Sequence, residues 1–559
     1  MSFKSNQIHW LQREYKYLIS LIILFTLYNS LFVNKALHID DPSTIDIARA
    51  INKDFLNVPQ VRLFFSNPIL LGYYYAPIIR LLGEREIWLH IFYLPFSLLV
   101  IISMFFLSLR FTGKGFLSTL FLVVTPAFLI MSQNIMLDIP LLGFFLSTLA
   151  VFIYGIDKND NRLLFLSSIL AGMTSLIKYS GLTVILLMFI YGLLYSQKRY
   201  RYFLFLLIPL CIFFLWCIHN IIFYKHAYFF RALLFELREI SINTIPIKIF
   251  ACLSFITGTS IITLFLIPRL LRNKYNVFLF LLALPVGLCP FLIKRPFLEY
   301  SNIAKVILGF LFISSLFIIF IVFKVAFLSL LEKPRNKNNL FLSLWFFIFL
   351  IFNILIQFVA ARFVLLLFPP MFLLLYKELT SRGVSFSTAL NKLVSVSILI
   401  TFLISTILTI GDYYFAGIYR DFTISIKKEL PLYKDIYFCP SAYDSFLAWG
   451  YAYYLYKYYP QAINYKIEDN LNERKDFVYI LPNEPVLPFV IHRICSDSFQ
   501  ELDYNKNLIK SFYYKSNVAL HNWKLRVGFY SHDWGLLPFY ISFRKIPLET
   551  FDVYSVSVR

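Results

Sequence analysis

Apolar residues run along this chain in long blocks. They fall at 17–33, 89–109, 116–131, 139–156, 163–177, 181–195, 203–223, 249–267, 276–293, 303–323, 340–358, 363–376 and 393–411. A helix needs roughly 20 apolar residues to cross a bilayer. The pattern therefore predicts an α-helical polytopic membrane protein with about thirteen spans. Several blocks fall short of that length, 163–177 and 363–376 among them. The first block is long enough to stay in place as an anchor, and no signal-peptide cleavage pattern precedes it.

Two stretches between blocks change the pattern. Within residues 34–88, DDPSTIDIARAI and NPILLGYYYAPIIRLLG have the spacing of short amphipathic helices on a membrane surface. Residues 224–248 form a second such segment. After 411 the material differs. The tail, 412–559, is rich in Tyr, Asp, Asn and Lys. Short alternating stretches such as KDFVYILP and KSNVALHNWKLRVGFY predict strands in a small soluble α/β or α+β domain. The expected division is thus a membrane domain, 1–411, and a C-terminal domain, 412–559.

Charge gives the spans a direction. Lys4, Arg13 and Lys16 precede the first block. With that end cytoplasmic and thirteen crossings, the basic clusters Arg110/Lys114, Lys158/Arg162, Lys198/Arg199/Arg201, Arg269/Arg272/Lys274, Lys333/Arg335/Lys337 and Lys377/Arg382/Lys392 all fall inside. The opposite loops, 132–138, 178–180, 294–302 and 359–362, hold two Lys or Arg at most. An odd span count also places the tail outside, in the periplasm or extracellular space of a bacterial inner membrane.

Composition agrees. The 559 residues are 59% hydrophobic and 15% charged, and mean hydropathy is +0.70. The net charge of +21 lies in short loop clusters, not on one soluble face, which excludes a nucleic-acid partner. Cys211, Cys217, Cys252 and Cys289 lie in apolar blocks and read as core residues. Cys439 and Cys495 lie in the tail, where pairing and two buried thiols both stay open.

Ionisable groups beside spans are costly, so those on the outer side carry information. Asp40-Asp41 follows the first block. Asp before Pro42 starts a helix well, but capping accounts for one carboxylate, not two. Catalysis and capping both remain open there. Asp138, two residues before Pro140, reads locally as a cap. Lys178 emerges on the side where the charge rule disfavours lysine, so an anionic ligand competes with snorkelling. Arg362 sits at the turn of a tight hairpin and needs an anion or several carbonyls. Lys294-Arg295 is a weaker candidate of the same kind. Together these suit a substrate with an acyl tail in lipid and a phosphate at the interface. Cations would stabilise a leaving phosphate and a carboxylate would take a proton from an incoming hydroxyl.

With these residues in place, the chain resembles the GT-C membrane glycosyltransferases of family 39, which use polyprenyl-phosphate sugar donors and include protein O-mannosyltransferases and lipid A aminoarabinose transferases. HIDDPSTIDIARAI is similar to their acidic first outer loop, and FSNPILLGYYYAPIIRLLG to the proline segment after it. TPAFLIMSQNIMLDIPLLGFF, SLIKYSGLTVILL and FVAARFVLLLFPPMFLLL resemble, in order, the later Asp, Lys and Arg motifs. The resemblance implies Asp40 as acceptor-activating base, with Asp41 supporting it or taking the role. It implies Asp138 in the same cavity and Lys178 and Arg362 on the donor phosphate, with Arg295 and Asn67 as further substrate contacts. Asp stands at 41 where the mannosyltransferases have Glu, which leaves the base open between the two. The segment reads Asn67-Pro68 instead of His-Pro.

The implied reaction is inverting transfer to a lipid-linked glycan, lipopolysaccharide component or exported protein, at the periplasmic face. Asp40, Asp41 and Asp138 could hold a divalent ion, and no other cofactor is implied. Two rival readings are a flippase for lipid-linked sugars and an O-antigen ligase or polymerase. The first would show a repeat and midplane charges, and the second catalytic charge in one large late loop. The aromatic stretch SAYDSFLAWGYAYYLYKYYPQAINY reads as domain core and interface before it reads as a glycan surface.

Overall fold

The computed structural model describes residues 2–37, 40–56, 58, 67–195, 199–238, 243–380 and 388–429. In the C-terminal part it describes 436–438, 453–454, 457–458, 476–484, 504–516, 518–521, 528–529, 531–542 and 546–558. Cys439 and Cys495 lie outside the described residues, as does most of the aromatic stretch. The fold class is as expected: a polytopic helical membrane protein with a small C-terminal sheet.

Each apolar block folds as helix, but apolarity and continuity are different things. Among the described residues eight helices are long and apolar enough to cross a membrane, or nine if a bent pair counts as one span. That is fewer than the roughly thirteen expected from block length. The pair, Ile245–Ser260 and Ile262–Leu270, is bent by 93° at Ile261, whose φ is +45°. The block 116–131 is split into Phe116–Val123 and Pro126–Met131, because Pro126 can open a helix but not continue one. Asn161–Ile177 has only 17 residues. Phe363–Thr380, built on one of the short blocks, is long enough. Apolar side chains such as Phe214, Leu215, Ile303 and Phe323 stay exposed on the outside of the bundle, as lipid-facing residues do.

Helices form in both of the stretches expected to carry them. Asp41–Lys53 starts with Pro42 in its first turn and buries Ile45, Ala48 and Ile51 on one face. It packs on Leu70–Leu82 so closely that a Cβ on Gly72 would come 2.3 Å from Ile47 Cγ2. The segment 224–248 contains the helix Tyr228–Arg238.

The last membrane helix runs from Thr388 through residue 412 to Glu429. Beyond it lie six strands: β1 Ile436–Phe438, β2 Asp476–Glu484, β3 Tyr504–Ser516, β4 Ala519–His521, β5 Tyr540–Ser542 and β6 Ile546–Val558. They make a four-stranded sheet of order β1-β2-β6-β3, parallel only between β1 and β2, and a β4-β5 pair. Phe551 of β6 stacks on Phe422 of the long helix, with centroids 3.9 Å apart.

Two tyrosines fasten the C-terminal part to residues within 34–88. Tyr454 donates to Glu86 (3.0 Å) and accepts from the Leu37 amide (2.8 Å), while Tyr453 donates to Glu84 (3.1 Å). The described part of the aromatic stretch is thus interface. Deeper, Lys35 Nζ lies 2.5 Å from Asp412 Oδ2 and donates to Asn134 Oδ1, with side chains 1% and 4% exposed for the ion pair.

Removing one partner of a buried ion pair costs about 3–5 kcal/mol, because the other charge stays buried alone. Lys35→Met and Asp412→Leu should each lower the thermal midpoint of the protein in detergent. The double variant should recover most of the loss. Single variants as stable as the parent would show that the pair does not hold these elements together.

Candidate active site

Three loops and one helix break bring together four of the polar residues that the sequence singles out. Asp40 sits at the cap position of Asp41–Lys53, yet its side chain makes no capping hydrogen bond. Its Oδ2 accepts from Arg362 Nη2 at 3.0 Å. Asp138 is the first residue of Asp138–Lys158, and Leu137 holds the cap position. Its carboxylate lies 3.1 Å from Arg362 Nε and accepts from Lys178 Nζ at 3.2 Å. The local capping reading of Asp138 therefore gives way to an ion-pair role, since two cations within reach outweigh a cap.

The chain geometry explains how the cations arrive. Asn161–Ile177 stops at Lys178, whose backbone is extended, and a 3-10 turn, Tyr179–Leu182, follows. Gly181 presses so close to the Thr174 carbonyl that a Cβ would lie 2.3 Å from its oxygen. At this break Lys178 turns inward, with Nζ 4.1 Å from the centre of the Phe363 ring. Arg362 is the second residue of a 3-10 turn, Ala361–Leu367, after the helix Lys337–Leu355 has ended. Its side chain is 8% exposed.

The loop before Asp138 is fixed from several sides. Tyr93 donates to the Met136 carbonyl (2.7 Å), Thr44 to that of Ile135 (3.3 Å), and His90 lies 3.2 Å from that of Gln133. Lys35 reaches Asn134 in the same loop. None of these supporting contacts was foreseen from sequence. Lys35 is not singled out by the sequence pattern, and its partner Asp412 is 377 positions away.

The cluster lies at a cavity of about 1420 Å³. Asp40, Asn67, Asp138, Lys178 and Arg362 line it, together with Ser43, Tyr179, Ser180 and Gln357, which sequence reasoning did not single out. Much of the remaining wall is apolar, from Ile348, Phe349, Ile351, Phe352 and Leu355 on one helix and Phe229, Leu233 and Leu234 on another. Asp41 is fully buried and does not line the cavity. Arg295 is exposed and stands apart from it. Among the described residues no three His, Cys, Asp or Glu side chains are placed to share a metal ion. Asp40 and Asp138 instead hold Arg362 between them.

Asp40 keeps 25% of its side chain exposed. Enclosure in the cavity raises its carboxyl above the ordinary value. Arg362 opposes this, Asp138 and Asp41 add to it, and Lys178 opposes it weakly. A carboxylate partly open to a cavity, with raised proton affinity, can take a proton from a hydroxyl.

No family model matches this chain, and no curated protein matches it. Among solved structures it is similar to the crystal structure of ArnT from Cupriavidus metallidurans bound to undecaprenyl phosphate. The identity is 14%, over 88% of this chain and 96% of that one, with a TM-score of 0.44. It is similar also to ArnT from Cupriavidus metallidurans in the apo state, at the same identity and coverage, with a TM-score of 0.41.

The order of charges around Asp40 makes a signed prediction. Arg362→Gln removes the main influence lowering its proton affinity, so the carboxyl should titrate at higher pH. Lys178→Met should move it the same way by less. Infrared difference titration of the carboxyl band, with Asp40→Asn as the blank, reads the shift. A downward shift in Arg362→Gln would contradict the assigned contacts.

Proposed function

We propose that this chain is a membrane glycosyltransferase of the polyprenyl-phosphate-dependent kind. One observation carries the reading: two cations and two carboxylates meet at a cavity whose other wall is a long apolar surface. An isoprenoid tail fits the apolar wall and its phosphate fits Lys178 and Arg362. Both cations already share Asp138. An incoming phosphate exchanges one anion for another and need not create a charge site from nothing.

In this reading the acceptor hydroxyl attacks the anomeric carbon from the side opposite the phosphate. The new C–O bond forms as the bond from the anomeric carbon to the phosphate oxygen breaks, which inverts the centre. Asp40 takes the hydroxyl proton. Arg362 and Lys178 hold the charge that develops on the departing polyprenyl phosphate. Asp138 keeps the two cations in place, and Asn67 faces the same cavity as a contact for sugar or acceptor. The acceptor is a lipid-linked glycan, a lipopolysaccharide component or an exported protein. The site faces the periplasm, on the side of the bundle where the C-terminal part docks against the loop carrying Asp40. The flippase reading would place its charges at the membrane midplane. Here they sit at helix starts and breaks.

Asp40→Asn should reduce transfer by at least 100-fold, on the order of a lost general base, while polyprenyl-phosphate binding stays within about threefold. The measurement is transfer from radiolabelled lipid-linked sugars in membranes, with binding of undecaprenyl phosphate to the purified protein. Undiminished transfer by Asp40→Asn would remove Asp40 from the mechanism.

A further inference from the structure

One strip of the C-terminal domain is built into the membrane domain. Residues 531–538 close on themselves, with the Phe529 amide donating to the Pro538 carbonyl at 2.9 Å and Phe529 stacked on Phe539. Ser531, His532, Leu536 and Leu537 are buried. The Leu536 amide donates to the Tyr300 hydroxyl at 2.6 Å, in an outer loop of the membrane domain. Pro538 lies where a Cβ on Gly258 would come 2.7 Å from its Cγ, so the helix Ile245–Ser260 has a glycine at the contact.

The same strip grips the chain just before Arg362. The His532 amide donates to the Val359 carbonyl at 2.9 Å. The Val359 amide donates back to His532 Nδ1 at 3.2 Å, so the imidazole supplies the acceptor that a strand carbonyl would normally supply. Ala360 and Ser531 form an antiparallel bridge. On the other side, Lys248 donates to the Ile356 carbonyl at 2.7 Å. Val359 is fully buried, so its amide has no water to turn to if the imidazole is lost. The 3-10 turn carrying Arg362 begins at Ala361, directly after this clamp.

We infer that His532 is a positioning residue for the phosphate site: through Val359 it fixes the backbone that aims Arg362. This rests on the phosphate role proposed for Arg362. Nδ1 accepts, so Nε2 carries the proton, and it faces Asp533 Oδ1 at 3.7 Å. Burial keeps the ring on the neutral side. The C-terminal part thereby belongs to the site although none of its described residues lines the cavity.

The test uses the full chain in lipid nanodiscs with undecaprenyl phosphate as probe. Arg362→Ala should weaken binding by about 10–100-fold, as for a lost charged hydrogen bond. His532→Ala should weaken it by about 3–10-fold. His532→Asn, whose side-chain oxygen sits near the place of Nδ1, should return to within about twofold of the parent. His532→Gln, which reaches to the place of Nε2, should not. Most telling, His532→Ala added to Arg362→Ala should cost nothing further, because the two act through one group. Unchanged binding in His532→Ala, equal rescue by Asn and Gln, or multiplication of the two single losses would each overturn the positioning role and leave the phosphate reading standing. Unweakened binding in Arg362→Ala would overturn the phosphate reading itself, and the role of His532 with it.

Discussion

Arg362 cannot shed its charge, and its side chain is almost wholly buried. A guanidinium in that position has to be met by anions, and the protein meets it with two carboxylates from distant parts of the chain. Asp40 follows the helix Ser2–Ser30, and Asp138 opens the membrane helix Asp138–Lys158. This end of the bundle is organised by that requirement. The loops carrying the carboxylates must converge on one hairpin, and each has its own supports: Lys35, Tyr93, His90 and Thr44 on one side, Lys248 and His532 on the other.

Such a cluster is a poor way to gain stability. Buried ion pairs replaced by well-packed apolar groups are often as stable or more so. Lys178, Arg362, Asp40 and Asp138 sit beside an apolar wall where Leu or Phe would pack well. A polar cluster retained at such a place fits a phosphate ligand. It also explains why Asp138 serves both cations: a shared counter-ion leaves each partly satisfied and open to a second anion.

Much of the architecture was legible because bilayer thickness constrains composition so tightly. All the apolar blocks became helices, and the amphipathic stretches at 40–51 and 67–83 became the helices Asp41–Lys53 and Leu70–Leu82, packed on each other. The span count was less legible. Hydropathy registers apolar residues and misses breaks such as the positive φ at Ile261. Within the site, Lys178 and Arg362 stood out because charge beside lipid is rare, and the structure brings both to one cavity. Asp138 was misread locally, since a carboxylate before Pro140 has the same sequence signature whether it caps a helix or pairs with distant cations. Arg295 had the right residue type in the right kind of loop, but it is exposed and does not line the cavity. Asp40 and Asp41 are neighbours in sequence and differ in surroundings: one faces the cavity and the other is buried beneath it. No pattern along the chain separates them. Lys35 and Asp412, and His532 with Val359, were beyond reach because each pair joins residues far apart in sequence.

The joining of Lys35 to Asp412 bears on how the protein is made. Lys35 leaves the ribosome early and Asp412 late, on the last membrane helix. Until that helix inserts, the first outer loop holds a lysine with no counter-charge and the Asp138 loop lacks part of its frame. Arg362 and the 531–538 strip arrive later than Asp40 and Asp138 as well. The supports of the cavity at Asp412 and His532 are therefore made after all of its lining residues, the last of which is Leu366. A chain cut before residue 412 would insert its early helices without the Lys35–Asp412 support of the loop that leads to Asp138.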